Sequence, residues 1–291
     1  MKSNQTIAFI GLGHMGLPMA TNLAAAGHTV IGHDPNVSEA PFPLAAGAAE
    51  AADGAHIAIT MLPNGDIARA VAEDVIPTMA LGGLLIDCST VDISSAQAIH
   101  DLAANADVKC LDAPVSGGAS GAAAGTLTFM VGGNEEAYEM AQPLFETMGA
   151  KAVHCGGPTA GQGVKIVNNM LLSITMAGTG EAFNLGLELG IDPQKLFDVI
   201  STSSGACWPV NAYCPVPGIG PDSPADRDYA PGFAVDLMVK DAKLAQTAAD
   251  AGGIATPMGQ RAAELFEQMQ GAGMGKMDFS AMINYLASQH R

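Results

Sequence analysis

Gly11-Leu12-Gly13-His14-Met15-Gly16, standing directly after the apolar run Thr6-Ile7-Ala8-Phe9-Ile10, decides how the first half of this chain is built. The run before it has the length and composition of a buried strand, and Met15 to Ala26 after it carries a helical pattern closed by Gly27. A glycine-rich turn between strand and helix is the context that a dinucleotide fingerprint requires. Its glycines permit a tight turn, close approach of a pyrophosphate and packing of helix on strand, while amides at the helix start meet the phosphates. Read alone, the six residues are equally a glycine turn with no ligand.

A second strand, Thr29 to Gly32, is followed by Asp34 at the distance where such folds place an acid. A carboxylate there accepts hydrogen bonds from the adenosine ribose and repels a 2′-phosphate, so NAD is expected over NADP. The competing reading makes Asp34-Pro35-Asn36 a turn whose Asp caps the next helix. Two further strand ends face the same crevice: Leu62-Pro63-Asn64, after a strand from His56, and Thr90, after Leu84 to Asp87. Thr90 reads either as a contact to the nicotinamide ribose or as a helix N-cap.

Further strands are expected at Val108 to Leu111 and Leu127 to Val131, and beyond about residue 160 only helical patterns follow. The fold class is therefore α/β: an N-terminal Rossmann dinucleotide-binding domain, residues 1–162, then an all-α C-terminal domain, residues 163–291, joined by a long helix from about Val164 to Leu189. Later helices are expected at Pro193 to Ser203, Ala234 to Ala251, Pro257 to Gln270 and Phe279 to Gln289. Between Cys207 and Gly232 lies a proline-rich interruption, expected to be a structureless functional loop or lid, or else an ordinary surface excursion.

The segment Gly161-Gln162-Gly163-Val164-Lys165-Ile166-Val167-Asn168-Asn169 heads the long helix. Lys165 and Asn169 are four residues apart, so they project from one helix face and can converge on one small polar ligand. A lysine at a helix start is usually solvated. Here its neighbours are apolar and its charge opposes the helix dipole, so a pKa lowered toward the range of acid–base work is expected. Upstream, Asp112-Ala113-Pro114-Val115-Ser116-Gly117-Gly118 joins a strand end to a small-residue turn whose amides and hydroxyl suit a carboxylate, though alone it is an ordinary loop.

Composition excludes several functions. A formal charge of −17 over 291 residues, with only 12 Lys and Arg, argues against nucleic acid or an anionic membrane as partner. Cys88, Cys110, Cys155, Cys207 and Cys214 form no CxxC pair and are odd in number, which disfavours a disulfide framework or structural zinc and suits a cytoplasmic protein. His14, His28, His33, His56, His100, His154 and His290 show no ligand spacing, so no metal is expected. No GxSxG elbow is present. No signal peptide precedes the first strand, and Lys165, Asn168, Asn169, Glu181, Asn184 and Glu188 interrupt the long helix as a membrane span.

Taken together, Phe9 to Ala20, Asp112 to Gly118, Gly161 to Asn169, Ser204 to Trp208 with Tyr213 to Gly218, and Leu237 to Asp241 make the chain resemble the β-hydroxyacid dehydrogenases, and among them the 3-hydroxyisobutyrate dehydrogenases. The resemblance runs nearly end to end. It implies Lys165 as acid–base, Asn169 as a substrate-orienting amide, and Ser116, Gly117 and Gly118 as a carboxylate cradle. It further implies Lys240 against the cofactor, with Trp208, Tyr213 and Asp241 lining the substrate pocket. Cys214 stands where those enzymes commonly carry asparagine, which leaves the substrate open. The implied activity is NAD-dependent oxidation of a small 3-hydroxy acid, 3-hydroxyisobutyrate to methylmalonate semialdehyde as in valine catabolism, by a homodimer or homotetramer. Alternatives are L-serine, D-glycerate or tartronate semialdehyde as substrate and, outside enzymes, a dinucleotide-binding sensor. A 6-phosphogluconate dehydrogenase is disfavoured, because the C-terminal half is short and poor in arginine.

Overall fold

Alternating residues of one strand enter two different cores in the first half of the chain: Ile7 and Phe9 pack on one side, Ala8 and Ile10 on the other. A strand buried on both faces needs helices above and below it, which is why these strands read as continuous apolar runs instead of alternating ones. A computed structural model describes residues 5–289; His290 lies outside them. The described chain falls into two compact units, the division falling after Lys165.

In the first unit the elements run β1 (Thr6–Ile10), α1 (Gly16–Ala25), β2 (Thr29–His33), α2 (Ala48–Ala52), β3 (Ile57–Thr60), α3 (Gly65–Val75), β4 (Leu84–Asp87), α4 (Ile93–Asn105), β5 (Lys109–Asp112), β6 (Val115–Ser116), α5 (Gly118–Ala124), β7 (Leu127–Gly133), α6 (Glu135–Met148) and β8 (Gly149–Gly156). They form one sheet in the order β2-β1-β3-β4-β5-β7-β6, with β8 paired to β7. The strands from β2 to β5 are parallel, and β7 meets β5 and β6 antiparallel. Crossing from β1 to β2 on one side and to β3 on the other makes β1 the topological switch point, where such sheets bind ligands beyond their carboxyl ends.

The strand expected from His56 to Leu62 is shorter, and the one expected to end at Leu111 runs on to Asp112. The pair β6 and β8 was not anticipated. β8 is a partly exposed strand, Gly149-Ala150-Lys151-Ala152-Val153-His154-Cys155-Gly156, whose mixed composition carries no clear period.

The long helix, α7 (Ala160–Glu188), starts a turn earlier than its apolar pattern suggests. It is followed by α8 (Pro193–Ile200), α9 (Trp208–Ala212), α10 (Val235–Gly252), α11 (Pro257–Met269) and α12 (Met282–Ser288). The second unit closes on its own core, which includes Met176, Phe183, Met238, Phe266 and Phe279. Among the described residues no helix is long and apolar enough to cross a membrane.

The proline-rich interruption is not a structureless lid. Trp208 to Ala212 is helical, Pro224–Arg227 forms a 3₁₀ turn capped by Ser223, and Val210, Cys214, Val216, Ala225 and Tyr229 enter the core of the second unit. Its prolines shape turns that buried side chains then fix: Ser223 Oγ donates to the Cys214 carbonyl at 2.8 Å, and Tyr229 Oη to the Pro215 carbonyl at 2.8 Å. The expectation failed because prolines report local stiffness and carry no information on what a distant core does with the segment.

Candidate active site

At the switch point the chain leaves β1 and turns through the glycine loop. A Cβ on Gly16 would strike the Gly11 carbonyl, so the first turn of α1 packs directly on the loop. A Cβ on Gly13 would meet no protein atom within 4 Å. The fold itself does not demand glycine at position 13; the open space before it is what a pyrophosphate needs, so the loop fits a dinucleotide.

Asp34 follows β2, and its carboxylate accepts from the Leu12 amide at 2.9 Å and the Asn36 amide at 2.8 Å. One side chain therefore ties the glycine loop to the end of the neighbouring strand while staying partly accessible. The bond to Asn36 is the local turn weighed from sequence. The helix-cap alternative does not apply, since the next helix begins only at Ala48.

Beyond β3, Leu62 donates its amide to Ser89 Oγ at 2.8 Å, and Asn64 spends its side-chain oxygen on the Ile67 amide as the N-cap of α3. Thr90 is not the cap of α4, a role taken by Asp92. Ser116 ends β6, and the two glycines after it adopt φ of 134° and 63°. That path is closed to other residues without strain and leads into the first turn of α5, whose amides have no intrahelical acceptors.

Beneath these loops lies a buried polar layer. Asp87 Oδ1 accepts from Thr60 Oγ1 at 2.8 Å and the Ser89 amide at 3.0 Å, while its Oδ2 has no hydrogen-bond partner. Burial pushes the Asp87 carboxyl above the ordinary aspartate value of 3.8, the bonds from Ser89 and Thr60 work against that, and Asp112 adds to it. Because the folded state then holds the proton more tightly than the unfolded chain, this group's stabilising contribution is complete below 3.8 and is lost as pH rises through the raised value. Asp87→Asn abolishes that slope. Thermal midpoints of both proteins from pH 4.5 to 7.5 are expected to shift in favour of the variant as pH rises; a pH-independent difference would contradict the assignment.

Lys165 is buried, with 7% of its surface exposed, in the second turn of α7. There the helix dipole acts on it only weakly, since the effect fades beyond the first turn. The buried Asp112 carboxylate also lies at that end, accepting from the Thr159 amide at 2.9 Å and the Gln162 amide at 2.8 Å.

In the second unit, one turn further along α7, Asn169 is also buried. Its Nδ2 donates to Asp241 Oδ2 at 2.5 Å and its Oδ1 accepts from Asn168 Nδ2 at 3.0 Å. Asp241 Oδ1 lies 3.4 Å from Lys240 Nζ, close enough for ion pairing but without hydrogen-bond geometry. Thus Asn169, Lys240 and Asp241 form one polar cluster. Trp208 is exposed and stacks on Tyr213, with ring centroids 4.9 Å apart. The Tyr213 hydroxyl donates to Asp278 at 2.9 Å, and burial together with that carboxylate holds the phenol far above its usual pKa. Among the described residues no group of three or more His, Cys, Asp or Glu side chains is placed to hold a metal.

Three residues were missed from sequence: Asp112 as the acid at the head of α7, His100, whose Nε2 pairs with Asp112 Oδ1 at 2.8 Å, and Gln162, wholly buried. The available signal was Gln162 itself, a polar side chain between two glycines at the start of an apolar helix.

A Rossmann unit with an open glycine loop, joined through a long helix to an all-α unit, defines a nicotinamide-dependent oxidoreductase of two-domain type. Residues 6–157 match the family described as the NAD binding domain of 6-phosphogluconate dehydrogenase, and residues 159–286 the one described as NAD-binding of NADP-dependent 3-hydroxyisobutyrate dehydrogenase. A probable 3-hydroxyisobutyrate dehydrogenase of Mycobacterium tuberculosis is 45% identical over 290 residues, covering 98% of each chain. An NAD-dependent L-serine dehydrogenase of Pseudomonas aeruginosa is 45% identical over 285 residues, covering 95% of this chain and 96% of that one. The solved structure of the Mycobacterium tuberculosis 3-hydroxyisobutyrate dehydrogenase with L-serine has a TM-score of 0.92 at 44% identity, covering 98% and 99%. The chain belongs to the β-hydroxyacid dehydrogenase family, with the 3-hydroxyisobutyrate dehydrogenases among its near relatives.

Proposed function

We propose that this enzyme oxidises a small 3-hydroxy acid with NAD, and that its substrate is 3-hydroxyisobutyrate, converted to methylmalonate semialdehyde. The observation that carries the reading is the buried Lys165 one turn from the buried Asn169 on one helix. The bound nicotinamide cofactor supplies the hydride acceptor. Lys165, neutral at the outset, takes the hydroxyl proton as hydride leaves the substrate carbon. Asn169, restrained by Asp241, orients the hydroxyl, and the turn of Ser116, Gly117 and Gly118 holds the carboxylate. Orientation of this kind supplies up to roughly 7–11 kcal/mol of the barrier.

L-Serine is the second reading, favoured by a relative named as its dehydrogenase at the same 45% identity. Initial rates on 3-hydroxyisobutyrate, L-serine and D-glycerate separate the two: a higher kcat/KM on 3-hydroxyisobutyrate supports the first, and a higher one on L-serine replaces it.

The preference for NAD rests on Asp34. No lysine or arginine occurs between Lys2 and Arg69 in the sequence to receive a 2′-phosphate there. Asp34→Asn removes the charge and keeps an oxygen for the Leu12 amide. It is expected to move the NAD to NADP ratio of kcat/KM toward NADP by about tenfold, as loss of a charged hydrogen bond predicts. An unchanged ratio in paired assays would place the discrimination elsewhere.

A further inference from the structure

Gln162 is a buried side chain that the reaction as described does not use. Its Nε2 donates to the Ser89 carbonyl at 2.7 Å, and its Oε1 accepts from the Val91 amide at 3.1 Å. These two groups flank Thr90, in the loop that follows β4. Ser89 in turn receives the Leu62 amide on its hydroxyl, which brings the loop after β3 into the same network. Gln162 is itself held through its backbone amide by Asp112, which His100 and the Thr159 amide also engage. Thr159 has a φ of 69°, costly for a β-branched residue, so the turn into α7 is fixed against a local preference. Lys165 comes three residues later on the same helix, about one turn on.

We infer that Gln162 is a positioning residue for the oxidation: one amide side chain fixes the loop around Thr90 and the turn of α7 that carries Lys165 in a single register. This rests on the reading of Lys165 as the proton acceptor. Both hydrogen-bonding ends of the amide are engaged by backbone groups that secondary structure leaves over, so a side chain of equal length without polar atoms loosens both loop and helix start. A shift near 1 Å at the reacting group is enough to cost on the order of 100-fold in rate.

The test uses the full-length enzyme with saturating cofactor, reading single-turnover hydride transfer by absorbance together with substrate KM and the thermal midpoint. Gln162→Met keeps the length and removes both bonds. It is expected to slow hydride transfer by about 30- to 100-fold with KM changed less than about threefold. Gln162→Asn keeps the amide on a shorter arm that reaches the Val91 amide and the Ser89 carbonyl imperfectly, so its rate falls between; it carries the test should the methionine variant fail to fold. The readout specific to positioning is a double-mutant cycle. In Lys165→Ala, adding either Gln162 substitution is expected to change the residual rate less than about twofold, because the group being positioned is gone. The same loss in both backgrounds, or a raised KM with kcat unchanged, overturns the inference. A full rate in Lys165→Ala alone overturns the Lys165 reading itself and is told apart from failure at Gln162 by that single variant.

Discussion

Lys165→Ala is expected to lower turnover by about 10²- to 10⁴-fold, the range that a positioned acid–base group supplies, while cofactor affinity stays within about threefold because the glycine loop and Asp34 are untouched. Lys165→Arg is expected to fare no better. A guanidinium stays protonated throughout the working pH range and cannot accept the hydroxyl proton, so retention of charge at this position gives no rescue. Steady-state kcat for both variants, with cofactor binding followed by fluorescence, checks the pair. Substantial activity in the arginine variant would show that the position contributes charge and not proton transfer.

The largest effect on stability is expected at Asp278, in the second unit. This wholly buried carboxylate accepts from the Tyr213 hydroxyl and the Gly232 and Phe233 amides on Oδ2, and from the amide and hydroxyl of Ser280 on Oδ1. Asp278→Ala leaves these donors facing a cavity. Each buried orphan costs about 1–3 kcal/mol before relaxation, and partial rescue by neighbours leaves an expected loss of about 3–5 kcal/mol. Against typical stabilities of about 5–15 kcal/mol that is enough to unfold much of the protein. Denaturant titration measures it; a loss below about 1 kcal/mol would mean that the five contacts are replaceable. The same carboxylate helps to order the proline-rich segment, since it binds Tyr213 within it and Gly232 at its end.

Local pattern carried much of the architecture. The strand, glycine turn and helix from Thr6 to Ala25 follow from a few residues whose conformational demands are strong, and the change from strand to helix periods near residue 160 separates the two kinds of structure. Lys165 and Asn169 were legible because helical spacing alone puts them together. What stayed hidden depends on distant partners. Asp112 reaches the head of α7 from 47 and 50 residues away, and Gln162 binds groups 71 and 73 residues back. The resemblance implied Tyr213 as a pocket residue, but no pattern announced that its hydroxyl bonds to Asp278, 65 residues on. No periodicity or spacing encodes such pairs; only the fold brings them within reach.

The most direct test of the account is the pH dependence of single-turnover hydride transfer in the intact enzyme and in Lys165→Ala, with cofactor and substrate saturating. If Lys165 takes the proton, the intact enzyme's rate rises with pH through one ionisation to a plateau, and the variant's low residual rate lacks that limb. A variant that keeps the same limb, merely scaled down, would show that another group accepts the proton and that Lys165 serves only to hold the substrate.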